Sequence, residues 1–155
     1  MLKPAQLRKA LTDSVPLLAR SPDSLNMFID KGCIVSTLAA SLSFEYQYQL
    51  NLVITDYAGD VDLLMVPVLA WLRVNQPDIM ATGEKRKNGF VFQSDVISDT
   101  LSDISIELQL TERVIVKDIE GALHVTHVPE SPLPDNVALP RQIYAAGELV
   151  SELPS

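Results

Sequence analysis

Between Ser43 and Asp78 the chain reads SFEYQYQLNLVITDYAGDVDLLMVPVLAWLRVNQPD: alternation of apolar and polar residues gives way, across one turn, to a run that is apolar almost all the way round. Successive side chains of a strand point to opposite faces, so the first half predicts a long half-buried strand. Phe44, Tyr46, Tyr48, Leu50, Leu52 and Ile54 form its dry face, and Glu45, Gln47, Gln49, Asn51, Val53 and Thr55 face the other way. Tyr57-Ala58-Gly59 then turns the chain. Asp60 is placed to cap the following helix, and Asp62 to favour its positive end. That helix, Leu63 to Val74, has apolar residues over most of its circumference, with Pro67 predicting a bend or a late start and Pro77 its end. A helix with so little wet face is either sandwiched inside the fold or partly buried by another chain.

The rest of the chain frames this unit. Leu7, Ala10, Leu11, Val15 and Leu18 recur at helical spacing from Pro4 to Ala19, with Pro16 expected to kink or shorten the helix. A second short helix is expected from Pro22 to Asp30, with Ser21 as its N-cap and Gly32 just beyond its end; Ile34 to Leu42 reads as a strand or a connector. Phe90 to Val96 reads as a strand, and Asp103 to Val116 repeats the opening alternation, so two long strands share a Gln/Glu-rich outer face. Glu120-Gly121 is a hairpin turn leading into Leu123 to Val128. Pro129, Pro132, Pro134 and Pro140 predict an extended arm, ending in a small hairpin around Ala146-Gly147. The expected class is α+β, a mainly antiparallel or mixed sheet with helices packed on one face. Residues 1–128 form one domain, and 129–155 a proline-rich arm with a terminal β-hairpin.

The chemistry available is sparse. His124 and His127, three apart in a strand, face opposite sides and cannot share a metal ion. The single cysteine, Cys33, lies beside Ile34 and Val35 and reads as a buried structural thiol; one cysteine rules out an intramolecular disulfide and fits a reducing cytoplasm. Asp56, Asp60 and Asp62 cluster at a strand-to-helix corner, where capping explains them better than catalysis. With no phosphate loop, nucleophile elbow or metal-spaced Cys/His set, the reading is of a non-enzyme that needs no cofactor and no metal. The net charge of −8 is confined to the second half: residues 1–88 carry nine Lys/Arg against nine Asp/Glu, and residues 89–155 three against eleven. Such a balance argues against a nucleic-acid-binding module. The one basic cluster, Lys85-Arg86-Lys87 between Gly83 and Gly89, reads as a solvated loop tip. The longest apolar run, Leu63 to Leu72, is shorter than the roughly 20 residues of a membrane-spanning helix, so no membrane partner is expected.

Five segments in register carry a family resemblance: MLKPAQLRKALTDSV, TLAASLSFEY, DYAGDVDLLMVPVLAWLRVNQPDIM, DISIELQLTERVIVK with EGALHV, and the closing IYAAGELV. Together they resemble the tail completion protein R (GpR) family of contractile-tailed temperate phages of the peduovirus type. The resemblance implies a virion structural protein at the head-proximal end of the tail, assembled in the host cytoplasm. It implies a ring, a hexamer, that stops growth of the tube or sheath and permits head-tail joining. Its partners would be further copies of itself, the tail tube or sheath proteins and the head-tail connector, with DNA passing through unbound. By analogy with tail terminators of other phages, it also implies an α+β fold.

Joined to the residue pattern, this gives two sets of candidates. Ring closure needs two different patches on each subunit, and the candidates are Leu63, Leu64, Val68, Trp71 and Leu72 on the apolar helix, with Ile143, Tyr144, Leu149 and Val150 on the arm. A channel wall that does not hold phosphates would be acidic or neutral, and its candidates are Glu107, Gln109 and Glu112, with Glu45 and Gln47. Two other functions fit parts of the pattern. A cytoplasmic protein-binding module or assembly chaperone would be acidic and non-catalytic too, but would leave the finished particle. A small hydrolase using Asp56, Asp60 or Asp62 would lose activity on Asp60→Asn.

Overall fold

The computed structural model describes residues 1–132 and 138–154. Helix α1 (Lys3–Ser14) ends at Ser14, and after Val15 the next residue, Pro16, opens the short helix α2 (Pro16–Arg20). The proline therefore divides the predicted helix, taking the first-turn position where its missing N–H costs nothing. A single turn, Pro22–Ser24, leads into β1 (Leu25–Val35), which lies antiparallel to β2 (Phe44–Tyr57). The helix expected from Pro22 to Asp30 is thus corrected to a strand after one turn. Its apolar spacing fits either period over so short a run, and pairing with β2 decides for the strand.

Helix α3 (Asp62–Asn75) runs through Pro67, which has no N–H to give the Leu63 carbonyl, and ends at Gln76 before Pro77. Its N-cap is Val61, one residue after the expected Asp60. Asp60 still serves the helix start, because its Oδ1 accepts the Asp62 N–H at 3.0 Å. The basic cluster is also corrected, from a loop tip to the short helix α4 (Gly83–Asn88), where Thr82 Oγ1 accepts the Lys85 N–H at 3.1 Å. Strands β3 (Phe90–Val96), β4 (Ser102–Ile119) and β5 (Ala122–Val128) complete the main sheet. The order is β1-β2-β4-β3, with β5 on β4, and every described pairing is antiparallel. Glu120 (φ 53°) and Gly121 (φ 82°) turn β4 into β5 as expected, and Ala146 (φ 51°) and Gly147 (φ 79°) join β6 (Gln142–Ala145) to β7 (Glu148–Glu152). Two successive positive φ values match the twist of the flanking strands. Of the expected proline-rich arm, positions 133–137, including Pro134, lie outside the described residues, as does Ser155.

The core lies on one face of the sheet. Tyr48, Leu50, Leu52 and Ile54 of β2 meet Ile104, Ile106, Leu108 and Leu110 of β4 in direct register. Leu7, Leu11, Leu18, Leu64, Val68, Trp71 and Leu72 of the helices are buried in the same cluster. Complete burial of a Leu or Ile contributes about 1.5–3 kcal/mol, so this face dominates the stability of the fold.

Gly89 joins α4 to β3. A Cβ there would lie 2.5 Å from the Ile79 carbonyl oxygen and 2.6 Å from that of Lys85, whereas one on Gly83 would meet nothing within 4 Å. Gly89→Ala is therefore expected to destabilise the fold by about 1–3 kcal/mol and Gly83→Ala to leave it unchanged or slightly more stable. Urea denaturation midpoints of the two variants measure the difference.

Candidate assembly interface

Three surfaces can meet another molecule: the polar face of the sheet, the outer side of α3 with the terminal hairpin, and the free strand edges. The polar face is built by β2 and β4, whose register sets Glu45 against Arg113, Gln47 against Thr111, Gln49 against Gln109 and Asn51 against Glu107. Gln109 Nε2 donates to Gln49 Oε1 (3.0 Å), Gln49 Nε2 to Asn51 Oδ1 (3.1 Å), and Asn51 Nδ2 to Asp30 Oδ1 on β1 (2.9 Å). Gln47 Nε2 donates to Glu45 Oε1 at 2.9 Å. Gln49 and Asn51 are buried although the core helices lie on the opposite face. A buried amide is costly unless bonded, and here each is bonded to the next. Of the channel candidates, Gln47 and Gln109 are exposed, and Glu45 and Glu107 are half-buried.

Glu112 does not belong with them. As an even-numbered residue of β4 it shares a face with Leu110 and Val114, opposite Tyr46, and it is buried at 6 % exposure. A one-residue slip of parity put it on the wrong side. Its carboxylate instead holds the N-terminus: Oε1 accepts the Leu2 N–H at 2.7 Å and the Lys3 N–H at 3.4 Å, and Oε2 accepts the Tyr48 hydroxyl at 2.7 Å. Beside it, Lys3 Nζ donates to Gln76 Oε1 (2.7 Å) and the Thr111 carbonyl (2.6 Å) and pairs with Glu130 (3.1 Å). The start of α1, the end of α3, the middle of β4 and the segment after β5 are thus fastened at one point. Nothing in the alternation marks this site; the only signal was a carboxylate at a position of core parity.

Burial, reinforced by the Glu112 carboxylate, pushes the Tyr48 phenol far above its ordinary pKa. Burial and the neighbouring Asp60 push Tyr57 up to about 12. At the foot of α4, burial alone would raise the Asp78 carboxyl, but hydrogen bonds from Gln76 and Lys85 outweigh it and hold the group below its usual value.

The helix candidates divide. Leu64, Val68, Trp71 and Leu72 are buried in the subunit's own core, and Leu63 is half-buried. The exposed apolar side of α3 is formed by Val66 (41 %), Leu69 (43 %) and Val74 (40 %). Counting apolar residues round the helix could not say which side the sheet would take. The terminal segment lies across that outer side, leaving a cleft of about 590 Å³ lined by Val66, Leu69 and Val74 together with Leu139, Ile143 and Leu153. Ile143 is buried, Tyr144 and Leu149 are exposed, and Val150 is half-buried. Part of the surplus apolar face of α3 is therefore covered by the chain's own end.

The histidines face opposite sides, His127 opposite Val114 and His124 opposite Lys117. Cys33, expected to be buried, is exposed, because β1 is an edge strand and Cys33 sits opposite Gln47 on the polar face. Among the described residues no helix is long and apolar enough to cross a membrane, and no group of three or more His, Cys, Asp or Glu is placed to hold a metal ion.

These surfaces do not by themselves say what the chain does; its similarity to known proteins says more. The model of the P2 phage tail completion protein R (GpR) family matches residues 1–131. The chain belongs to that family. It is also 57 % identical over 152 residues, covering 98 % of each chain, to the tail completion protein R of Escherichia phage P2. No solved structure matches. The tail completion family membership makes this chain a phage tail protein of the α+β class.

The two phenols have a measurable consequence. An unperturbed tyrosine has a pKa of about 10, so above that pH the unfolded chain releases protons that the folded one retains, and stability falls. Stability linked to Tyr48 and Tyr57 is expected to be complete below about pH 10 and to fall above it, the decline from Tyr57 levelling off beyond about pH 12 and that from Tyr48 still continuing there. Tyr48→Phe is expected to flatten that decline and to lower stability at neutral pH by about 1.5–3 kcal/mol, through loss of a hydrogen bond to a charged group. Urea titrations from pH 8 to 12 check both.

Proposed function

We propose that the protein closes the head-proximal end of the tail as a ring of six copies, halting growth of tube or sheath and presenting a surface to the head connector. The observation that carries this reading is the family match over residues 1–131, with 57 % identity to the phage P2 tail completion protein R. The surfaces are consistent with it, since a closed ring needs two unlike patches on each copy. The outer side of α3 with the terminal hairpin, and the free edges of the sheet, are unlike and separate. In this reading the protein stays in the finished tail and acts by binding and position rather than by catalysis.

The polar face of β2 and β4 is the proposed channel wall, represented by Glu45, Gln47, Glu107 and Gln109. Amides tied to one another and carboxylates without excess cations give phosphates nothing to hold, so DNA can pass without the counterion-releasing contacts that would retain it. Glu112, buried beneath the N-terminus, has no part in this wall.

Tails made without the protein are expected to be overlong or to lack heads in electron micrographs; normal tails joined to heads would overturn the assignment. The wall is tested separately. Glu45→Lys with Glu107→Lys, at positions outside the core, should leave tail assembly intact but slow DNA ejection. Unchanged infectivity would remove the channel from the account.

A further inference from the structure

We propose that the free edge of β5 in one copy adds to the free edge of β1 in the next, so that the sheets of neighbouring copies run on as one; this rests on the ring reading above. Among the described residues β1 pairs only with β2, and β5 only with β4. They lie on opposite sides of the sheet, and each leaves a row of main-chain donors and acceptors free. Soluble proteins usually guard such edges with charge, proline or a bulge. Strand β3 carries Asp95, and β7 carries Glu148 and Glu152. Strand β5, ALHVTHV, has no Asp, Glu, Lys or Arg, and its Leu123 and Val125 are 59 % and 63 % exposed. On β1 the guard is local: a bulge between Ile29 and Lys31 with the charged pair Asp30-Lys31. Beyond it Gly32–Val35 is free of charge, with Ile34 64 % exposed.

The faces agree as well. Ile34 sits opposite Tyr46, and Val125 opposite Val116, so both edges present their exposed apolar residues on the face that carries the core. A continuous sheet makes Ile34 of one copy a neighbour of Leu123 or Val125 of the next, withdrawing from water side chains that are otherwise left wet. On the polar face it sets Cys33 beside His124 or Thr126. The two edges belong to different strands, so the contact is heterologous and every copy uses both, which is the condition for a ring. They are also staggered: β1 lies level with the part of β4 that pairs with β2, whereas β5 pairs with residues 113–119 of β4. Stagger of this kind gives the strand tilt that a closed sheet requires. Pairing of β5 with its own copy about a two-fold axis would stop at a dimer and leave β1 open.

Cys33, the sole cysteine and exposed, serves as the reporter. Tails are isolated from phage carrying His124→Cys, Thr126→Cys or Val125→Cys, oxidised with diamide and run on a non-reducing gel. The 124 or 126 variant is expected to give a ladder of disulfide-linked species up to the full ring, while Val125→Cys, on the opposite face, and the unaltered protein give none. Equal cross-linking from all three positions would overturn the proposal, as would a ladder from Gln93→Cys on β3 instead. So would the absence of any ladder from tails that hold several copies. Dimers that persist when Cys33→Ser is added would show the two-fold alternative. Tails that contain no copy of the protein would remove the ring reading and this proposal together.

Discussion

The antiparallel pairing of β2 with β4 is the constraint on which everything else in this molecule depends. Twelve positions from Phe44 to Tyr57 are matched to Ser102–Val114, and because side chains alternate, that one register fixes both faces together. A slip of one residue would send the apolar set of one strand, Leu50 and Leu52 or Ile104 and Ile106, to the polar side and bring that strand's polar residues into the core. The apolar side gives α1 and α3 a platform. The amide side carries a chain of hydrogen bonds from Gln109 through Gln49 and Asn51 to Asp30, and none of the core helices packs on it.

The second fastening is the N-terminal one. A lysine and a glutamate buried at 7 % and 6 % exposure are costly unless every charge is met. Here the Glu112 carboxylate takes two backbone N–H groups and a phenol, while the Lys3 ammonium takes an amide oxygen, a main-chain carbonyl and Glu130. Replacing Glu112 by an apolar residue would leave the Leu2 and Lys3 N–H groups and the Tyr48 hydroxyl without this acceptor, a cost of about 1–3 kcal/mol for each group left buried and unsatisfied. This fastening fixes where α1 begins, and therefore where the helical layer stops and the β4–β5 hairpin projects uncovered. The apolar residues exposed on that hairpin, Leu123 and Val125 among them, lie beyond the helical cover.

Most of the fold was legible in the sequence, because period-two alternation over Phe44–Ile54 and Ile104–Leu110 is long and both turn glycines carry their signals. Several features were not. Leu25–Val35 was missed because a short mixed run fits either period, and the pairing that decides it comes from β2. Glu112 was misplaced by parity, and the outer side of α3 was misjudged because a helix apolar all round does not announce which side the sheet will bury. Cys33 was expected inside because its neighbours are apolar; an edge strand leaves such neighbours wet. The family was carried by whole segments, whereas the candidate interface depended on orientation, which composition does not record.

The central claim is that this subunit closes the tail as a ring whose helices face outward and whose amide-lined sheet faces the channel. A cryo-electron microscopy reconstruction of the head-proximal end of the tail tests it most directly. The account predicts a terminal layer of six copies, with Glu45, Gln47, Glu107 and Gln109 turned towards the axis and α1 and α3 away from it. A finished tail without this protein, or a ring with the helical layer lining the channel, would contradict it.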